Sequence, residues 1–148
     1  MITDKLNMFS GLTGQAVTAS AASTDVVDLG PLTHGNTRRD IGAGEPLYLV
    51  VAVLVAATAA GAATVNFQLQ TSDDNSTWVT LFDSGAVALA DMTAGARPVA
   101  VAVPRGVRRY LRVNYSVGTG PLTAGTFWSG LVKDVQDRTL YASGFAIV

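Results

Sequence analysis

The sequence predicts an all-β fold, an antiparallel sandwich or barrel, and three observations carry that prediction. The charged residues are of the wrong kind for helix surfaces. Glu45 is the only Glu, Lys5 and Lys133 are the only lysines, and Asp and Arg make up the rest. Glu and Lys usually fill exposed helix faces, whereas Asp favours turns and caps. The apolar residues are mainly Ala and Val, with Thr common beside them. Val and Thr suit a pleated sheet. Finally, about eight short apolar or alternating stretches follow one another, separated by Gly, Pro, Asp and Asn.

The elements follow in order. Met1 to Ser23 reads as an arm, with a short turn of helix near Asp4 to Phe9. Thr24 to Leu29 reads as a short first strand, closed by Gly30-Pro31. Leu32 to Glu45 is a polar loop rich in Gly and Arg. Leu47 to Val55 is the strongest strand, β-branched and bounded by Pro46, and Thr64 to Thr71 is the next. Ser72-Asp73-Asp74-Asn75-Ser76 is a turn, because such side chains bond the local backbone. Thr77 to Asp83 follows as a strand, with Trp78 expected in the core, and Gly85 to Ala90 as a weak one. Arg97 to Val103 alternates, with Val99, Val101 and Val103 facing one way. After the turn Pro104-Arg105-Gly106 comes Arg109 to Val117, with Leu111, Val113, Tyr115 and Val117 inward. Gly118-Thr119-Gly120-Pro121 breaks that strand, and Thr126 to Lys133 is the last clear one. Asp134 to Val148 is a second arm ending in Phe145-Ala146-Ile147-Val148. With no internal linker, residues 1–148 form one domain with arms at about 1–23 and 134–148.

Composition narrows the function classes. The chain has 148 residues, 49% of them apolar, 14% charged, with net charge −1 and no cysteine. It is too apolar to be disordered. It has no disulfide framework and no thiol nucleophile. Near-neutral charge argues against direct nucleic-acid binding. Leu47 to Val65 is uncharged and close to the length that crosses a bilayer. However, its first half is strand-like, its second half is Ala and Gly, and no basic cluster flanks it. Two strands joined by an Ala/Gly loop are expected, with no membrane. Ala19-Ser20-Ala21 resembles a signal cleavage site but lacks the preceding apolar core.

The strand Leu47 to Val55 is apolar on both faces. Leu47, Leu49, Val51, Val53 and Val55 take one face, and Tyr48, Val50, Ala52 and Leu54 the other. A sandwich strand normally shows one face to water. An arm or another subunit is therefore expected over the second face. Ala100 and Ala102 also permit close approach by a partner.

No catalytic constellation emerges. His34 is the only histidine, and no nucleophile-elbow motif accompanies it. Gly120 to Thr126 has the glycine spacing of a phosphate loop without its lysine. Asp73, Asp74 and Asn75 lack the spacing and closing Glu of a Ca²⁺ loop, so no metal or other cofactor is expected. Arg105, Arg108, Arg109 and Arg112 form the densest charge run, with Arg108, Tyr110 and Arg112 on one strand face. Guanidinium groups pair with carboxylates, which suits docking on an acidic protein surface.

Gly44-Glu45-Pro46-Leu47-Tyr48-Leu49-Val50-Val51, Leu69-Gln70-Thr71-Ser72-Asp73-Asp74, and Tyr110-Leu111-Arg112-Val113-Asn114-Tyr115 onward to Gly125 are ordered along the chain. With Met1-Ile2-Thr3-Asp4 at the start and Gly130 to Gln136 at the end, they resemble the Bbp16-type capsid cement proteins of tailed bacteriophages. The segment Leu32 to Arg39 has no counterpart in this resemblance, which leaves His34, Arg38 and Arg39 without a role. The resemblance implies a jelly-roll-like β-sandwich on the outer surface of the phage head, assembled in the bacterial host cytoplasm. It implies a structural virion protein and not an enzyme. Its partners would be the major capsid protein and itself, as a dimer or trimer at local symmetry axes. The residues expected at those contacts are Tyr48, Val50, Leu54, Arg105, Arg108, Tyr110, Arg112, Phe145 and Ile147. The alternative is a carbohydrate-binding β-sandwich with Trp78, Trp128 and Tyr110 as sugar platforms.

Overall fold

The computed structural model describes residues 3–30 and 45–135. Among these residues ten strands follow in chain order: β1 (Gln15–Ala16), β2 (Ala21–Ala22), β3 (Val27–Asp28), β4 (Tyr48–Thr58), β5 (Thr64–Ser72), β6 (Val79–Asp83), β7 (Val87–Ala88), β8 (Val99–Ala102), β9 (Tyr110–Gly118) and β10 (Ala124–Val132). Helical structure among the described residues is confined to two 3-10 turns, Lys5–Asn7 and Leu89–Asp91. The first is capped by Asp4, whose carboxylate accepts from the Leu6 N–H at 3.0 Å.

One sheet has the order β1-β10-β4-β8. The other has β2-β9-β5-β6, with β3 also on β9 and β7 also on β5. Counting β2 with β3, and β6 with β7, as single positions leaves eight. First pairs with last (β1–β10), second with seventh (β2 and β3 on β9), third with sixth (β4–β8) and fourth with fifth (β5–β6), all antiparallel. A chain doubled into a long hairpin gives these pairs. Rolling the hairpin adds β10–β4 and β9–β5 and makes two facing sheets. This is a jelly roll, and the expected all-β sandwich is what the chain forms.

Alternation explains the core. On β5, Val65, Phe67 and Leu69 are fully buried while Asn66, Gln68 and Gln70 face outward. On β9, Leu111, Val113 and Tyr115 do the same. Phe67 meets Phe127 edge-on at 5.3 Å, and Tyr115 stacks on Phe127 at 5.8 Å across the sheets. The Tyr115 hydroxyl is satisfied by Ser129 Oγ at 2.8 Å. Burial pushes the Tyr115 phenol up to about 12, with the Ser129 contact partly opposing it.

The expected N-terminal arm is instead part of the body. Phe9 is fully buried, and Met8 and Val17 nearly so. The segment first runs along β10: Phe9 N–H donates to Ser129 O at 2.9 Å, Ser129 N–H to Ser10 Oγ at 2.8 Å, and Val17 N–H to Gly125 O at 2.9 Å. It then crosses to β9, where Ser23 N–H donates to Val113 O at 2.7 Å and Leu29 N–H to Arg109 O at 2.8 Å. Thr24 to Leu29 yields only Val27–Asp28 as strand because its start leaves β9 for the N-terminal segment: Thr24 N–H donates to Gln15 Oε1 at 2.8 Å and Asp25 N–H to Phe9 O at 2.9 Å. Gly14, at φ +75°, allows the close pass, because a Cβ there would lie 2.9 Å from Phe127 O.

Two other expectations change. Val55 is not inward. Register shifts at Ala124/Thr126 and Thr126/Phe127 put extra residues on β4 and turn Leu54 and Val55 both outward, 45% and 52% exposed. Trp78 is not in the core. It precedes β6, half-buried on the outer side, with the Arg112 guanidinium 4.1 Å from its ring centroid. The weak strand near Gly85 to Ala90 reduces to Val87–Ala88 before the second 3-10 turn.

The fold makes two predictions. Phe9→Ala is expected to lower stability by about 3–5 kcal/mol in urea unfolding, as for a core aromatic and unlike an arm residue. Tyr115→Phe is expected to cost roughly 1–2 kcal/mol near neutral pH. It also removes a pH step. A phenol whose folded pKa is raised stabilises fully below its unfolded value near 10, and that contribution is lost as pH rises towards about 12. Urea midpoints from pH 8 to 12 should therefore fall more steeply for the parent chain than for Tyr115→Phe.

Candidate functional site

The second face of β4 is covered mainly from within. Val50 is fully buried in a small second core with Met8, Trp128 and Val132, and Tyr48 and Ala52 pack half-buried against it. Val50 is thus corrected from a contact residue to a core residue. The 3-10 turn brings Met8 over the sheet, and Met8 bridges to Gly130. Gly130 must stay bare, since a Cβ there would meet the Trp128 ring at 2.8 Å. The face reopens at Leu54 and Val55. Leu54 leans over the bare Gly14, within 2.9 Å of where its Cβ would be. Leu6 and Leu12 on the N-terminal segment are also exposed. Four large apolar side chains of β4 and the N-terminal segment, Leu6, Leu12, Leu54 and Val55, therefore stand in solvent.

The arginine cluster is largely engaged inside the chain. Arg109 grips Asp28 through two bonds, Nε to Oδ1 at 2.9 Å and Nη2 to Oδ2 at 3.0 Å. That contact raises the Arg109 pKa and ties β9 to β3. Its guanidinium also lies 4.7 Å from the Tyr110 ring centroid. Arg108 pairs with Asp73 at 2.9 Å at the surface, and its N–H donates to Thr71 Oγ1. Arg112 donates Nε to Gln70 Oε1 at 2.8 Å and stacks on Trp78; burial lowers its pKa. Arg105 is exposed in the turn after β8. Of the expected stripe, Tyr110 and Arg112 share the outer face of β9, and Arg108 lies before the strand.

That outer face is a polar ladder. Asn114 Nδ2 donates to Gln68 Oε1 at 2.9 Å, Gln68 Nε2 to Asp83 Oδ2 at 2.7 Å, and Gln70 Nε2 to Thr80 Oγ1 at 3.4 Å. The Gln68 bond, then the Gly85 N–H, holds the Asp83 carboxyl below its usual range. Asp74 organises the Ser72 to Ser76 turn as expected. It accepts from the N–H groups of Thr77 at 2.7 Å and Ser76 at 2.9 Å and from Ser72 Oγ at 2.8 Å. Those bonds hold its pKa well below the usual carboxylate range.

Trp128 is 7% exposed, so it presents no ring face to a sugar. Trp78 has one ring face taken by Arg112. An open cleft of about 670 Å³ at one end is lined by Asp4, Asn7, Glu45, Leu47, Lys133 and Asp134 among others, and Lys133 bridges Glu45 across it at 2.8 Å. Among the described residues, no three His, Cys, Asp or Glu stand together as a metal site, and no helix is long and apolar enough to cross a membrane. The uncharged run from Leu47 to Val65 is β4, an Ala/Gly loop exposed at residues 60–62, and the start of β5. Phe145, Ile147, His34, Arg38 and Arg39 lie outside the described residues.

Arg112→Ala is expected to uncover the Trp78 ring. The check is a red shift of tryptophan emission with a loss of roughly 0.5–1 kcal/mol in stability, the scale of an exposed cation–π pair.

No curated protein matches this chain. The family model of Bbp16 matches residues 11–131. That span holds all ten strands, from β1 to all but the last residue of β10. By a match over most of its length and nearly all of its strand residues, the chain belongs to the Bbp16 family.

Proposed function

We propose that this Bbp16-family protein is a non-enzymatic capsid cement protein, which binds the outer surface of a phage head and clamps neighbouring major capsid subunits. The observation that carries the reading is the exposed apolar pair Leu54 and Val55 on β4, with Leu6 and Leu12 also exposed on the N-terminal segment. Large apolar side chains held outward on a rigid sheet are suited to covering a partner's surface. The arginines at the other sheet mostly form structural contacts, so affinity would come from area. About 800 Å² per partner is an ordinary interface. On a repeating lattice, weak contacts made several at a time raise the effective concentration.

The major capsid protein is the partner in this reading, together with a second copy of the chain at local symmetry axes. No direct contact with nucleic acid or membrane belongs to it. The protein would be assembled in the bacterial cytoplasm and would end on the outside of the virion. Arg105, Arg108, Tyr110 and Arg112 remain candidates for a second, separate contact, with Tyr110 and Arg112 on the outer face of the other sheet. Exposed arginines there would steer docking more than hold it.

The test is to incubate the purified protein with heads that lack it. Ordered density on the heads and a higher disruption temperature are expected. Leu54→Asp with Val55→Asp should lower occupancy about tenfold or more, since burying one such side chain contributes roughly 1.5–3 kcal/mol. Its own melting temperature should hold, because both positions are exposed. Heads that stay bare and no more resistant would overturn the reading.

A further inference from the structure

The two open edges of the sandwich differ. On the far side from the N-terminal segment, one sheet ends in β6 and the other in β8. The β6 edge is protected in the usual way. It carries a register shift between Leu69 and Gln70, and Asp83 stands at its end. The β8 edge is flat over Val99–Ala102, uncharged, and paired only on its β4 side among the described residues.

The backbone direction of β8 follows from its pairing with β4. Leu49 stands opposite Val101 and Val51 opposite Val99, and Val103 N–H donates to Leu47 O at 2.8 Å. Alternation therefore turns the N–H and C=O of Val99, Val101 and Val103 towards β4. Those of Ala100 and Ala102 point away from the sheet, and both alanines are exposed. Pro98 and Pro104 occupy the same outward positions, where a missing N–H costs β4 nothing.

The sequence here is a palindrome. Arg97-Pro98-Val99-Ala100-Val101-Ala102-Val103-Pro104-Arg105 reads the same in both directions about Val101. Two antiparallel copies related by a two-fold axis at Val101 place identical residue types opposite one another. We propose that β8 pairs with β8 of a second copy of this chain, with the axis at Val101, so that two four-stranded sheets become one of eight. Ala100 of each copy exchanges N–H···O bonds with Ala102 of the other, four bonds in all. Val101 faces its symmetry mate in a non-hydrogen-bonded position, where the Cα atoms come closer together. The prolines end the ladder on both sides, and Arg97 opposite Arg105 disfavours its extension.

This gives the self-association proposed above a surface, and in that respect rests on that reading. Its geometry rests on β8 alone, and its test needs no head. The full chain should sediment at twice its 15.3 kDa mass at micromolar concentration. Ala100→Pro removes two of the four bonds while sparing β4, and should weaken the dimer about tenfold or more. Its melting temperature as a monomer reports that the fold survives. The chain has no cysteine, so single cysteines read the register cleanly. Val101→Cys should form a disulfide dimer on mild oxidation, since Cα atoms at such a position lie about 4.5 Å apart. Ala100→Cys alone should not cross-link, but mixed with Ala102→Cys it should. A chain that stays monomeric, a dimer indifferent to Ala100→Pro, or cross-linking of Ala100→Cys with itself would overturn the proposal. A monomer that still decorates heads overturns only this inference, and a dimer that leaves heads bare overturns only the capsid reading.

Discussion

One stretch of chain, residues 8–29, answers the backbone hydrogen-bonding demand of two sheets at once. A sheet edge carries N–H and C=O groups that need partners when buried. Along β10 those partners come from Met8, Phe9, Ser10, β1 and Val17, and along β9 from Ser20, β2, Ser23, β3 and Leu29. The same segment plugs the open side between the sheets with Phe9, Val17, Val27 and Leu29, all of them core residues. Asp25 N–H donates to Phe9 O at 2.9 Å and closes the segment on itself. Without it β10 and β9 would both be bare edges, and the cross-sheet contacts among Phe67, Tyr115 and Phe127 would stand at a wet margin.

That closure sets the character of each remaining surface. The polar outer face of β5, β6 and β9 is stitched by amide and guanidinium bonds, so it is ordered and self-satisfied. The outer face of β4 and β10 is sealed by Met8 and Trp128 in one half and bare in the other. The boundary between the halves is the pair of register shifts in β4. A local accommodation in strand pairing thus decides which hydrophobic residues serve the core and which face solvent.

Much of this was legible in the residues. The long strands β4, β5, β9 and β10 announce themselves by β-branched runs or strict alternation, and the Asp74 turn by its Asx chemistry. The all-β class follows from them. What was not legible depends on distant partners. Residues 15–16 and 21–22 carry no strand signal, and they are strands because β10 and β9 offer edges to them. Val55 reads as inward by period, and only the opposing strand's register turns it out. Val50 and Leu54 look equivalent on one face, yet Met8 and Trp128 cover the first and leave the second. Trp78 reads as core by hydrophobicity, but Arg112 from another strand supplies its shelter. Three of the arginines that resemble a docking stripe are committed to Asp73, Asp28 and Gln70, two of them acids remote in sequence. The site residues were therefore less legible than the fold.

The pairing of Gln15 with Phe127 spans 112 residues, by subtraction of the two positions. Such long-range closure slows folding, because the entropy of a large loop is lost before its contacts form. During synthesis residues 8–29 emerge before either strand that they pair with. Among the described strands, β9 and β10 follow only after all the others. The nascent chain therefore carries this apolar segment undocked while β4 to β8 are made, and the strands that receive it are the ones that close the sandwich.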